Sequence, residues 1–452
     1  MTIGLRTARG RGVLLATVLG SGMAFLDSTV INVALPVLGR ELHAGIAGLQ
    51  WTIDAFLLTL TSLLLLGGSL GDGLGRRKTF VVGLVWFTVA SMACGLAPSL
   101  GALIAARAVQ GAGAALLVPG SLAVLRASFA DDEQGSAIGA WAGLSGVTTA
   151  IGPLLGGWLI TAWSWRAIFF LNLPLAAAAI WAALRCIPES RTPGRVRIDL
   201  PGAAAATLGL GGCVYALIEA PARGPGVAAA ATLGAASLAA FVWIEARSPN
   251  PMLPLDLFRS RQFSGANAVT LAIYFALGGA TFLLIIHLQK VLGYSPLAAG
   301  AALMPLTVLL LALSTPATKL ASHVGYRTPM TAGPLIAAAG VALLAQVGRQ
   351  SSYVSGILPG TTVLGLGLAA TVAPLTTAVL AGAQERHAGV AAAVNTAISR
   401  LAGLLAVALL PLLAGIAAAD AASLAAGFPR AMWICAATCA AGGLCALVTL
   451  RT

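Results

Sequence analysis

The chain has 452 residues, of which 58% are hydrophobic and only 9% charged, and it carries a formal net charge of +12. Soluble proteins average roughly 25% charged residues, so an ordinary water-soluble enzyme is excluded, whereas a bundle in lipid tolerates this composition because its solvent is apolar. The positive charge does not indicate nucleic-acid binding: most bases sit in short loops between apolar runs, and no basic patch interleaved with aromatics occurs.

A membrane-crossing helix needs about 20 apolar residues. Such runs are predicted at 14–36, 49–70, 79–97, 101–127, 136–160, 166–187, 199–220, 226–246, 264–288, 297–320, 329–349, 355–381, 388–418 and 430–450. The expected fold is an all-α membrane protein of fourteen spans. The first run follows Arg6, Arg9 and Arg11, but its length, with Asp27 and Asn32 inside it, argues against a cleaved signal peptide. An even number of spans puts both termini on one side. With the N-terminus inside, bases favour the inner loops by three to one, so both termini are expected in the cytoplasm and the chain in the cell membrane.

In span 1, Asp27 lies roughly 13 Å from the outer end at 1.5 Å per residue. Span 2 holds Asp54 about four residues from its expected start. A carboxylate in a first helical turn has a cheap electrostatic explanation; a direct role in substrate or proton binding is the other reading. Between spans 2 and 3 comes Gly68-Ser69-Leu70-Gly71-Asp72-Gly73-Leu74-Gly75-Arg76-Arg77-Lys78. A simple cap needs neither its acid, its three bases nor its spaced glycines; small residues let helices approach, and such charges can form and break ion pairs as helices move. Arg107 of span 4 lies roughly 9 Å from the outer face, a depth similar to that of Asp27. Burial favours the neutral carboxyl and a nearby guanidinium the ionised one, so such a pair suits proton binding and release. A static Asp27–Arg107 or Asp27–Asn32 tie is the alternative. Span 5 carries Gly139 and Gly143, then Gly152-Pro153-Leu154-Leu155-Gly156-Gly157, at spacings that suit close helix contact.

Glu219 and Glu245, at the ends of spans 7 and 8, are read as interfacial acids, and His287 and Lys290 as interfacial groups at an outer helix end. Spans 9–14 carry no Asp or Glu in their apolar cores; Asn395 and Arg400 are their main polar groups, with Arg400 either snorkelling to the inner surface or facing a cavity. The six cysteines lie in or at the ends of apolar runs without a C-x-x-C and are read as packing residues. The four histidines share no face, so no metal is expected. No P-loop occurs and Gly71-x-Gly73-x-Gly75 lacks a surrounding strand–helix unit, so neither ATP nor a nucleotide cofactor is expected. The segment Pro316–Arg327 weakly resembles 68–78, as a decayed copy would. A repeat at corresponding helix–helix turns suits a two-half transporter. On such an architecture the chain would divide into 1–190, an inserted helix pair at 191–250, and 251–452.

The 68–78 stretch resembles the G-x-L-x-D-x-x-G-R-[RK] loop motif of the major facilitator superfamily, carried here by Gly68, Asp72, Gly75, Arg76 and Arg77. Leu26-Asp27-Ser28-Thr29-Val30-Ile31-Asn32-Val33-Ala34-Leu35-Pro36, Arg107-Ala108-Val109-Gln110-Gly111-Ala112-Gly113-Ala114-Ala115, the Gly152–Gly157 stretch and Trp163-Ser164-Trp165-Arg166-Ala167-Ile168-Phe169-Phe170-Leu171-Asn172-Leu173-Pro174 are similar, in order, to motifs of its fourteen-helix drug:proton antiporters, the EmrB/QacA branch. The resemblance implies two six-helix halves, a gating role for Asp72 and its neighbours, and a leak-tight contact of Gly152, Pro153, Gly156 and Gly157 with the opposite half. It also implies proton coupling through Asp27 with Arg107, and a substrate cavity to which Asn32, Asp54, Asn395 and Arg400 contribute. The chain departs from the pattern at Phe56 (often Tyr), Gly73 (usually basic), and Leu401 and Leu404 (Gln and Gly). The function expected is export of a small amphipathic compound, neutral or singly charged, by a monomer driven by the proton gradient without a cofactor. Proton-coupled uptake on the same fold, and a non-transporting membrane sensor, are the rivals; no Ser/His/Asp set points to an enzyme.

Overall fold

The computed structural model describes residues 3–191, 199–248, 251–382 and 388–450. Its α-helices are α1 Ala8–Glu41, α2 Ile46–Leu74, α3 Arg76–Gly95, α4 Leu100–Ser128, α5 Asp131–Ala162, α6 Ala167–Phe170, α7 Asn172–Cys186, α8 Leu200–Ile218, α9 Pro225–Arg247, α10 Arg261–Lys290, α11 Pro296–Ala301, α12 Met304–Val324, α13 Arg327–Leu344, α14 Leu358–Ala381, α15 Ala388–Ala414 and α16 Ala421–Thr449. Among the described residues thirteen stretches are long and apolar enough to cross a membrane, α6 with α7 and α11 with α12 each forming one. The 18-residue α13 lies in the eleventh predicted run and is not among them; Arg327, Thr328 and Thr331 make its first turns more polar. Among the described residues there is no strand, only an isolated bridge between Ile3 and Phe129.

Each predicted run contains a helix, and the boundaries move most at the two ends of the chain, where caps extend the helices beyond their apolar cores. Thr7 Oγ1 accepts from the Gly10 amide at 3.0 Å, so α1 starts early and takes in Arg9 and Arg11. Asp420 accepts from the Ser423 amide at 2.7 Å, which places Arg430 inside α16 rather than in a loop before it. Residues 192–198, 249–250, 383–387 and 451–452 lie outside the described residues, and with them Arg195, Arg197, Arg386, Arg451 and the expected boundary at 250.

The helices pack backbone to backbone. A methyl group on Gly67 of α2 would meet the Ala115 carbonyl of α4 at 2.1 Å, and one on Gly111 of α4 would meet the Phe56 carbonyl of α2 at 2.3 Å. In lipid this closeness, with its van der Waals gain, takes over from the hydrophobic effect. Gly139 and Gly143 do not take part, since a methyl there would meet nothing within 4 Å; their spacing alone overstated their contact. The outer surface is apolar: α9 buries only Gly234 and Glu245 and presents Leu233, Val242 and Trp243 outward, as a lipid-facing helix must.

The repeat seen in the sequence has a structural counterpart. α2 and α12 both end at a glycine in the positive-φ region, Gly75 at 114° and Gly325 at 82°, and α3 and α13 follow at once. The pair α8–α9 forms a hairpin closed by Gly212 against Gly234. It is tied to α2 by Trp51, which donates to Glu219 at 3.0 Å and packs on Tyr215 at 6.1 Å between ring centroids. Glu245 is not an open interfacial acid: it is buried, with one carboxylate oxygen accepting from the Leu253 amide at 3.0 Å.

Candidate functional site

α1, α2 and α4 converge on one buried polar cluster. Asp27 of α1 is ion-paired through Oδ2 with Arg107 Nη1 of α4, and its Oδ1 accepts from Gln110 Nε2 at 2.9 Å. Gln110 lies one turn along α4 from Arg107 and also accepts from Arg107 Nη1 at 2.8 Å. Arg107 is completely buried; its Nε donates to the Thr52 carbonyl of α2 at 3.1 Å, and its guanidinium lies 4.3 Å above the Phe56 ring. Stacking on an aromatic face and pairing with a carboxylate are the two environments a desolvated guanidinium tolerates. Arg107 Nη2 has no partner, so the cluster is incomplete by one hydrogen bond.

The similar depths of Asp27 and Arg107 thus correspond to a direct contact. Gln110 belongs to the span 4 motif, and the sequence signal for it is its position three residues beyond Arg107, on the same helical face. Asn32 does not join the cluster: its side-chain amide donates to the Ser28 carbonyl at 3.3 Å, so the alternative Asp27–Asn32 tie is not formed. Asp54 differs most from expectation. α2 begins at Ile46, so Asp54 sits eight residues in, roughly 12 Å along the helix at 1.5 Å per residue, and is wholly buried instead of near the surface.

In the last six spans, Asn395 donates to Asn267 Oδ1 at 3.0 Å and Thr270 Oγ1 at 2.7 Å of α10, which holds α15 against α10. The Arg400 guanidinium lies 5.1 Å from the Phe25 ring of α1, so it faces the interior between the two sets of spans and does not snorkel. His287 is buried and stacked on Phe428 at 4.1 Å, so it is not the interfacial group expected, whereas Lys290 ends α10 half-buried and donates to the Ala419 carbonyl at 2.6 Å.

The model for the Major Facilitator Superfamily matches residues 17–407. The chain belongs to that superfamily. The multidrug resistance protein Stp of Mycobacterium tuberculosis (strain CDC 1551 / Oshkosh) is 36% identical over 388 residues, covering 85% of this chain and 72% of that protein. The tetracenomycin C resistance and export protein of Streptomyces glaucescens is 34% identical over 90% of this chain and 76% of its own. The puromycin resistance protein pur8 of Streptomyces alboniger is 37% identical over 86% and 78%. Among solved structures, a POT family transporter in complex with a thioalcohol-conjugated peptide superposes with a TM-score of 0.71 at 12% identity, over 96% of this chain and 95% of its own. An inward-facing bacterial homologue of the human lysosomal transporter Spinster gives 0.69 at 16% identity, over 99% and 100%. This is a multi-pass membrane transporter with the major facilitator fold.

Within that fold, the loop motif between α2 and α3 is held by local bonds. Asp72 pairs with Arg76 at 2.7 Å, and the Glu189 carboxylate accepts from the Arg77 and Lys78 amides at 3.1 and 3.2 Å. Gly75 is required by its φ, and a methyl there would also displace the Glu189 carboxylate, whose Oε1 would lie 2.7 Å away. Gly68 packs more loosely, a methyl there meeting only Pro119 at 3.7 Å.

The glycines of α5 divide between two neighbours. Methyls on Gly152 and Gly156 would strike Thr29 and Val30 of α1, at 2.1 and 2.6 Å. One on Gly157 would lie 2.6 Å from Leu297 Cα of α11, while Gly300 of α11 is packed just as closely on the Pro153 carbonyl. Close contact with the last six spans therefore belongs to Pro153 and Gly157; Gly152 and Gly156 fix α5 to α1. Gln289 donates to the Val33 carbonyl at 2.9 Å and Gln50 to the Val407 carbonyl at 2.6 Å, so the two sets of spans meet at this same end. Among the described residues no three His, Cys, Asp or Glu side chains come together in a way that could hold a metal ion.

Proposed function

We propose that this transporter exports a small amphipathic compound, an antibiotic or related drug, in exchange for protons, by alternating access. Support comes from the buried Asp27–Arg107–Gln110 cluster in a chain whose relatives are named for antibiotic or multidrug resistance and export. The working parts are residues 1–190 and 251–452 as two six-helix halves, with 191–250 as an inserted pair. Both termini are cytoplasmic, so the end where Gln50, Gln289 and Gly157 make their contacts faces outward. The proton gradient is the energy source; the monomer needs no cofactor, no nucleic acid and no chemistry on its substrate.

The observation that carries the reading is Asp27: a carboxylate inside the first half, held by one guanidinium and one amide. Protonating it removes the charge that Arg107 faces, so the cluster changes its electrostatics while keeping its place. Linkage then requires that proton and substrate favour opposite states or compete. Asn32 and Arg400 would border the cavity, with Asn395 and Asp54 behind its walls, and Asp72 with Gly68, Gly75, Arg76 and Arg77 would form the inner gate.

The test is flux in inverted membrane vesicles incubated with a fluorescent cationic drug or a labelled antibiotic in the medium. Wild type should accumulate the compound when the vesicle interior is acidified, and Asp27→Asn should bind it but not move it against a gradient. Accumulation by the Asn variant equal to wild type at every pH removes Asp27 from coupling. Substrate movement in the same direction as protons would replace export with uptake.

A further inference from the structure

α2 carries a second buried carboxylate that the exchange mechanism leaves unused. Gln50, Asp54, Leu57 and Thr61 fall on one face of the helix, opposite the Thr52–Phe56 face that holds Arg107. That face lies along α15. Gln50 donates to the Val407 and Ala408 carbonyls at 2.6 and 3.1 Å, and Leu57 lies 4.0 Å from the methyl position of Gly403. Asp54 sits between these two contacts, fully buried, and neither of its oxygens has a hydrogen-bond partner.

None of the charged and titratable groups described around it donates to Asp54, and Arg107 Nη2, which has no partner, lies with its guanidinium on the opposite face of α2. On α15, Arg400 is turned to Phe25. On α8, Glu219 accepts from Trp51 and Tyr215 packs on the same ring, while the Cys213 thiol is at the hairpin contact with Gly234. On α4, Arg107 is committed to Asp27 of α1. At the far end of α2, Asp72 pairs with Arg76 of α3. An ionised carboxylate out of water with no donor is prohibitively costly, and even a neutral one is worse than an aliphatic side chain of its size. The acid therefore weakens this seam in the closed state, and its use lies in the state where the seam is wet.

We propose that Asp54 is a proton latch on the outward seam between α2 and α15: the seam closes over the neutral acid and opens when that acid ionises. On opening, the carboxyl O–H bond breaks and the proton passes to water on the outer side; on closing, it is taken back from the same side. The proton does not cross the membrane, so Asp54 sets how often the seam opens, while Asp27 sets the exchange. The assignment of sides and of alternating access rests on the exporter reading above.

The test uses full-length protein in liposomes with the six native cysteines replaced and spin labels at Gly45→Cys and Ala417→Cys. Both are exposed, one just before α2 and the other just past α15. In the otherwise wild-type protein the label-to-label distance should lengthen as the pH rises, following a one-proton curve. Asp54→Asn and Asp54→Leu should both stay at the short distance throughout, and Asp54→Glu should restore the pH response with a displaced midpoint. A pH-dependent lengthening that survives in Asp54→Asn or Asp54→Leu, or its absence from wild type, overturns the latch. Drug flux measured on the same samples separates the two ideas: no flux with an Asp54-dependent seam leaves the latch standing and removes the exporter reading, and normal flux with an unresponsive seam does the reverse.

Discussion

Gly157→Ala should change which state the transporter occupies without unfolding it. The added methyl would lie 2.6 Å from Leu297 Cα and 2.7 Å from the Pro296 carbonyl, both backbone atoms that no rotamer change can move away. α5 and α11 must part by about 1 Å, and overpacking of this kind typically costs about 1–3 kcal/mol. The penalty applies only where α5 and α11 touch. If outward opening separates them, the equilibrium shifts toward the open state by the same amount, roughly 5- to 150-fold. The label pair at Gly45→Cys and Ala417→Cys would report a longer distance at fixed pH, while thermal stability in detergent would fall little. Gly156→Ala is the contrast. Its methyl would meet Val30 within the first six spans, where no gate motion relieves it, so it should lower stability and leave the open fraction alone. Gly139→Ala and Gly143→Ala meet nothing and should be neutral or stabilising. An unshifted distance in Gly157→Ala, or an equal shift in Gly139→Ala, would refute the assignment of Gly157 to a contact that breaks during the cycle.

Arg107→Ala should be far more damaging than Asp27→Asn, because it leaves a buried carboxylate without its counter-charge, a loss of about 3–5 kcal/mol; melting temperatures of the two purified variants make the comparison. Gly75→Ala forces a side chain into a left-handed position beside Glu189, for about 1–3 kcal/mol, and should reduce both expression and transport. Trp51→Phe removes the hydrogen bond to Glu219, about 1 kcal/mol net, and should loosen the α8–α9 hairpin from α2, which limited proteolysis at the exposed Arg223 of the hairpin turn would detect as faster cleavage.

The sequence by itself determined the solvent and where the helices run, because hydropathy over about 20 residues is a local property that lipid reads directly. It also located Asp27, Arg107 and the loop motif, since intramembrane charges are rare enough to stand out. Spacing could not assign partners. Gly139 with Gly143 and Gly152 with Gly156 have the same interval, yet the first pair faces open space and the second packs on α1. Arg400 had two outcomes open to it, and only the position of Phe25 on a helix some 375 residues away in sequence directs it inward. Asp54 is not the first-turn carboxylate its apolar run suggests, because apolar composition marks the lipid core and not the helix end: α2 starts three residues earlier, at Ile46, which puts Asp54 in the third turn. Its isolation against α15 belongs to tertiary structure alone, since whether a carboxyl finds a donor depends on every helix that comes to rest beside it.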